Sequence, residues 1–394
     1  MRLEGESIAD VVQCPREALP ASPDLGGPDA LVCPGFIDAH LHLPQFDIVG
    51  AHGRTLLDWL DGVTFPAEAR WQDPGYARDT TQRVAHQLLA HGTTGVAAYA
   101  TVHHGAALAA MQAAAEAGLR GVVGQTLIER HAPEALCRPA AQLLDETADL
   151  LDRFPPGGRV AAAVTPRFAV TCSAELLAAA GALAAERGAA VQSHLAETAD
   201  ECEKVAQLFG GARYVDVYDA AGLLSPRSVY GHGIHLDQDD RRTLAERGAA
   251  VAHCPTANSF LRSGTMDRRG HMNSGVTLAL GSDIGAGYER SMVRVARAMV
   301  EAAASLAGPE ASEQDQVPTA DHAWWQITAG NAQALGWPDA GRLVPGAAAD
   351  VVVAQPDIGW LSGPVDPLSR LLWAWDDRWV KQTLIRGRPA FTEA

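Results

Sequence analysis

From residue 31 to about residue 284 the chain repeats one unit. A short apolar or β-branched run ends on a polar or histidine-bearing tip, and an Ala/Leu-rich amphipathic stretch follows. The strand-like runs are Leu31–Leu43, Thr93–Val102, Arg120–Glu129, Arg159–Phe168, Ala189–Glu197, Ser228–Leu236, Ala249–Asn258 and Val276–Ile284. Between and after them, Asp79–His91, His104–Gly118, Ala140–Phe154, Ala174–Gly188, Ala199–Phe209, Gln238–Gly248 and Arg290–Ala307 read as helices. Strand–helix alternation predicts parallel strands joined by right-handed crossovers. Eight such units predict an α/β fold, a closed (β/α)8 TIM-like barrel over 31–341. The alternative, an open doubly wound sheet, lacks the Gly-rich phosphate loop that would follow its first strand.

The flanks break the pattern. Residues 1–30 are punctuated by Pro and Gly and show few strong strands. Residues 342–394 carry two strand-like runs, Asp350–Ala354 and Val380–Ile385, with Arg386-Gly387-Arg388-Pro389 as a turn signal. Together, 1–30 and 342–394 are expected to form a small β-rich domain, a reduced composite sandwich.

The length of 394 residues suits a large barrel with a small companion. The net charge is −16, which argues against nucleic acid or an anionic membrane as partner. Cys14, Cys33, Cys137, Cys172, Cys202 and Cys254 are scattered without a C-x-x-C pair, as expected for structural thiols in a reducing compartment. The N-terminus shows no secretory pattern, and the apolar stretch Ala106–Leu119 is too short to span a bilayer. A cytoplasmic protein is expected.

The chemistry gathers at the strand ends, where barrels of this kind place it. In His40-Leu41-His42 two imidazoles lie two residues apart, on one face of a strand, and can grip one ion. His194 ends the run Ala190-Val191-Gln192-Ser193, and Asp283 follows Leu278-Ala279-Leu280-Gly281-Ser282. Three imidazoles and a carboxylate suit zinc or another borderline divalent ion, with a position left for water. Read singly, Asp283 could be a helix cap and His194 a structural histidine. Glu197, three residues past His194, is placed to reach a metal-activated water as a proton shuttle. Its bland reading is a surface acid on the same solvated face as Glu201 and Glu203. His232 lies between Gly231 and Gly233, which let other groups come close. It is the preferred functional histidine there, with His235 second and His253 a candidate for an outer position. His52 and His103, beyond the first two strand ends, are weaker candidates.

Absent patterns narrow the chemistry. The fourth strand end, Val164-Thr165-Pro166-Arg167-Phe168, has no lysine to bridge two metals, and the chain has only Lys204 and Lys381. One metal is therefore expected. The small zinc-deaminase signature and the serine-hydrolase elbow are both missing.

The segment Pro34-Gly35-Phe36-Ile37-Asp38-Ala39-His40-Leu41-His42, with His194, His232 and Asp283, resembles the amidohydrolase superfamily. Longer marks narrow the resemblance to the guanine deaminases within it: Pro44-Gln45-Phe46, Leu56-Leu57-Asp58-Trp59-Leu60, Thr64-Phe65-Pro66-Ala67-Glu68, Tyr99-Ala100-Thr101-Val102-His103, Thr165-Pro166-Arg167-Phe168 and Gln192-Ser193-His194-Leu195-Ala196-Glu197. It runs from about residue 31 to the C-terminus.

The resemblance implies one Zn2+ per chain, ahead of Fe2+ or Mn2+, on His40, His42, His194 and Asp283. It implies Glu197 as proton shuttle and His232, with Asp283, as a guide for the attacking water. Gln45 and Arg167 would hydrogen-bond a purine, and Phe168 would stack on it. The implied reaction is hydrolysis of guanine to xanthine and ammonia by a homodimer acting on a small heterocycle and water.

Departures fall in loops near the expected pocket: Ala257, Arg262, and Tyr288 with Glu289 and Arg290. They bear on the substrate, so 8-oxoguanine, isoxanthopterin or another pterin remain open. Ring-opening or halide-displacing hydrolysis and a metal-binding barrel without catalysis are further readings.

Overall fold

The computed structural model describes residues 1–13, 15, 23–27, 29–308, 317–359, 361 and 363–393. The chain opens with strands Arg2–Glu4 (β1) and Ser7–Asp10 (β2), an antiparallel hairpin where the sequence promised little strand. Then come Leu31–Pro34 (β3), Phe36–His42 (β4), Thr93–Tyr99 (β5), Arg120–Gly124 (β6), Thr126–Leu127 (β7) and Val160–Pro166 (β8). They are followed by Ala190–Leu195 (β9), Ser228–His232 (β10), Ala250–His253 (β11), Thr277–Leu280 (β12), Val351–Ala354 (β13), Val380–Ile385 (β14) and Arg388–Thr392 (β15).

Strands β4, β5, β6, β8, β9, β10, β11 and β12 pair in that order, all parallel. Backbone hydrogen bonds just beyond β12 close the circle: Asp283 N–H donates to His40 O and His42 N–H to Ile284 O, each at 2.8 Å. The fold is a nearly closed parallel barrel. Every residue of β4, β5 and β8 is buried, because helices cover the outer face and the barrel core fills the inner one. That explains why β5 and β8 are largely apolar and why the polar groups of β4, Asp38, His40 and His42, are buried.

The remaining strands form an antiparallel sheet in the order β15-β14-β13-β3. The anticipated strand Leu31–Leu43 is therefore two strands in two sheets. They part at Gly35, whose N–H donates to Asp350 O at 2.8 Å. A Cβ there would come within 2.1 Å of Thr94 Oγ1, so the chain can cross between sheets only on glycine. The turn signal after β14 is a two-residue hairpin turn, with Arg386 and Gly387 at φ 52° and 74°.

Two other expectations are corrected. Ala249–Asn258 is a strand only to His253, and Pro255–Phe260 is a helix with proline in its first turn. Residues 56–72, for which no element was anticipated, form a helical run: Leu56–Trp59, a π turn over Leu60–Thr64, Phe65–Ala69 and a 3-10 turn over Arg70–Gln72. Gly62, Pro66 and the mixed aromatic content hide it from a periodicity reading. Among the described residues no helix is long and apolar enough to cross a membrane.

Candidate active site

The buried polar groups collect at the C-terminal mouth of the barrel. His40 and His42 lie two apart on β4, and His194 is on β9 beside Gly231 of β10. Asp283 follows β12 with a left-handed φ of 50°. Asp38 braces this turn, accepting from the N–H and hydroxyl of Ser282 and from the N–H of His40. One ligand atom from each of His40, His42, His194 and Asp283 lies within 4.8 Å of the others. His42 Nε2 is 2.9 Å from His194 Nε2, and His40 Nε2 and His42 Nε2 are each 3.4 Å from Asp283 Oδ1.

The surroundings fit a cation. His194 Nδ1 donates to Arg167 O at 2.6 Å, which leaves Nε2 as the lone-pair nitrogen facing the cluster. His40 Nε2 is buried without a hydrogen-bond partner among the described residues. Burial drives the pKa of His42 and His194 well below the ordinary imidazole value, which favours the neutral form that can ligate a cation. These four residues could hold one divalent metal ion.

Glu197 stands next to them and is only 3% exposed. Its Oε1 accepts from Ser263 Oγ at 2.8 Å, and its Oε2 lies 3.4 Å from His232 Nε2. His232 Nδ1 pairs with Asn258 Oδ1 at 3.0 Å. Burial, reinforced by Asp283, pushes Glu197 up to about 8, a value suited to gaining and losing a proton near neutrality. Glu201 is not part of a solvated face. It is buried, caps the helix Ala199–Leu208 with Thr198, and accepts from Glu197 N–H at 2.8 Å and Tyr214 OH at 2.7 Å. Glu203 is exposed as expected.

A cavity opens on these groups. Gln45, Arg167 and Phe168 form one side of it, and Leu56, Trp59 and Leu60 of the unanticipated helical run add apolar wall. Arg167 does not stand free: its Nη1 donates to Glu68 Oε1 at 2.6 Å, both side chains being buried.

Residues 31–390 match the family model of the amidohydrolases. The chain belongs to the amidohydrolase family. Among curated proteins it is similar to the guanine deaminase of Escherichia coli (strain K12), 34% identical over 369 residues, covering 91% of this chain and 82% of that protein. Among solved structures it is similar to a guanine deaminase from C. acetobutylicum with guanine bound in its active site. That pair has a TM-score of 0.90 and 28% identity, covering 99% of this chain and 94% of the other. An adenosine deaminase from Xanthomonas campestris with bound zinc superposes with a TM-score of 0.82 and 26% identity, covering 92% and 81%.

This amidohydrolase is thus a hydrolytic enzyme, and its weaker candidates can be placed. His235 is exposed and bonds Ser263 O at 2.9 Å. His253 is buried away from the cavity lining, and burial with Arg268 nearby lowers it to about 3. Arg262 is exposed at φ 58° and is not among the residues lining the cavity; it lines two neighbouring hollows, one of which shares Leu56 and Leu261 with the cavity. Tyr288 is also exposed, with its ring centroid 6.1 Å from that of Phe260. His52 also packs edge-on against Phe260, and His103 lies before the helix His104–Glu116. Ala257 is buried inside the helix Pro255–Phe260.

Sequence reasoning missed Glu68, Ser263 and the burial of Glu201. The capping signature Thr198-x-x-Glu201 was visible and pointed to the local geometry. The motif Thr64-Phe65-Pro66-Ala67-Glu68 stands out in the sequence but gives Glu68 no role. Nothing local marks Ser263, whose partner lies 66 residues away.

Proposed function

We propose that this amidohydrolase hydrolyses guanine to xanthine and ammonia, with zinc held by His40, His42, His194 and Asp283. The observation that carries the reading is the meeting in one cavity of the four-ligand cluster, the buried carboxyl of Glu197 and the Gln45/Arg167 wall. A zinc ion bound there supplies Lewis acidity, lowering the pKa of water towards about 7. Gln45 and Arg167 hydrogen-bond the ring in its plane and Phe168 packs against its face, so that C2 is held towards the cluster.

Glu197 takes a proton from the attacking water and passes it to the adjacent ring nitrogen as the C2–O bond forms. It then takes the proton of the new hydroxyl and gives it to the amine as the C2–N bond breaks. His232 and Asp283 hold the water by hydrogen bonds before attack. Ser263 keeps one oxygen of Glu197 occupied, which leaves the other for the transfer.

Ammonia release from guanine, 8-oxoguanine, isoxanthopterin and adenine tests the proposal. Guanine is expected to be the best substrate, with adenine nearly inert. Inactivity on guanine with turnover of another ring would overturn the substrate assignment. Inactivity on all four with zinc bound would overturn the reaction.

A further inference from the structure

Phe65 and Glu68 lie three residues apart on the helical turn Phe65–Ala69, and so share one side of it. That side meets Arg167. The guanidinium carbon sits 5.5 Å from the centre of the Phe65 ring, and Nη1 donates to Glu68 Oε1. The same carboxylate oxygen accepts from Gln45 Nε2 at 3.0 Å. Gln45 and Arg167 line the cavity, whereas Glu68 stands behind them.

A carboxylate only accepts, so it dictates which way the Gln45 amide points. The NH2 group must face Glu68. Oε1, which has no hydrogen-bond partner among the described residues, is the group left for the cavity. Glu68 also balances the charge of Arg167 while leaving its other N–H groups free to donate.

We infer that Glu68 is a positioning residue that decides which ring edge this wall reads. It sets an acceptor, Gln45 Oε1, beside the donors of Arg167, with no net charge across the group. The complement is a neutral ring edge with a carbonyl oxygen next to an N–H, the lactam edge of a 6-oxopurine. A 6-aminopurine presents the reverse, an amino donor next to an unprotonated nitrogen. The inference rests on the assignment of Gln45 and Arg167 to ring binding.

Hypoxanthine and adenine test it, because they differ at this edge and both lack the 2-amino group. Calorimetric binding to the metal-loaded protein is expected to favour hypoxanthine by about tenfold or more, the worth of one well-made buried hydrogen bond. In Glu68→Gln the new amide can donate as well as accept, so Gln45 can turn over and Arg167 loses its counter-charge. The preference should then narrow by about tenfold with metal content unchanged. A purely structural role for Glu68 would weaken both ligands equally, and an unaltered ratio would overturn the inference.

Gln45→Leu keeps the Arg167–Glu68 pair and provides a second arm should Glu68→Gln fold poorly. There too the preference must narrow, because Arg167 alone is left to read the edge, and an unaltered preference refutes the inference. Guanine turnover by the unmodified enzyme reports separately on the proposed reaction. Turnover without a hypoxanthine preference sinks only the role of Glu68. A preference without turnover sinks only the reaction.

Discussion

Gly231→Ala perturbs the cluster by a single methyl group. Gly231 lies in β10 and is not among the residues with positive φ, so alanine suits its backbone and the effect is steric. The added Cβ would sit 2.5 Å from His40 Cε1, 2.8 Å from Nε2 and 2.9 Å from Nδ1. Carbon atoms rest at roughly 3.5–4.0 Å, so the imidazole would have to retreat by about 1 Å. It has little room. A Cβ on Gly281 would lie 2.6 Å from His40 Cβ, which shows how closely that strand end already approaches from another side. The rings of His194, Tyr99 and His42 surround it at centroid distances of 4.9, 5.1 and 5.3 Å.

Metal–ligand distances tolerate only about ±0.2 Å. Gly231→Ala should therefore cost about 10–100-fold or more in divalent-metal affinity, together with about 1–3 kcal/mol of stability from overpacking. The assay is zinc retention against a graded chelator, followed by elemental analysis and urea unfolding of the same samples. Gly27→Ala is the control, since its Cβ meets open space. If Gly231→Ala holds zinc as tightly as the unmodified enzyme, His40 is not the constrained ligand inferred from this packing.

Four further outcomes are expected. Glu197→Gln should keep metal and fold while turnover falls by roughly 10²–10⁴-fold, and unchanged ammonia release would require another proton carrier. Stripping divalent ions should abolish activity and zinc should restore it at one ion per chain; two ions at full occupancy in elemental analysis would contradict the single cluster. Arg167→Ala should destabilise the protein by about 3–5 kcal/mol in urea titration, because it leaves the buried Glu68 carboxylate without its counter-charge. Burial pushes the thiols of Cys33 and Cys172 up to about 12 and holds Cys254 well above its ordinary value, so native alkylation at pH 8 should reach half-buried Cys137 before those three; equal labelling in peptide mass spectrometry would refute their burial.

The sequence by itself determined the barrel and the sets of groups at its mouth. Strand–helix alternation is a local property, and the two-residue spacing of His40 and His42 places both on one strand face whatever surrounds them. The glycines beside His232 likewise announced a close approach, made on one side by His40 against Gly231. Tertiary structure decided what each group meets. A strand-like run looks the same in a parallel barrel and in an antiparallel sheet, so it is the pairing of β3 with β13 and of β4 with β5 that reveals how Leu31–Leu43 divides at Gly35. Glu201 and Glu203 are two residues apart on one polar helix, yet Tyr214 and the cavity bury the first and leave the second in water. Arg167 finds Glu68 across 99 residues of chain, on a helical run with no periodic signature. Such pairings depend on loops carried to one end of a closed barrel, and the energy of burying a charge beside its partner appears only when closure brings the two together.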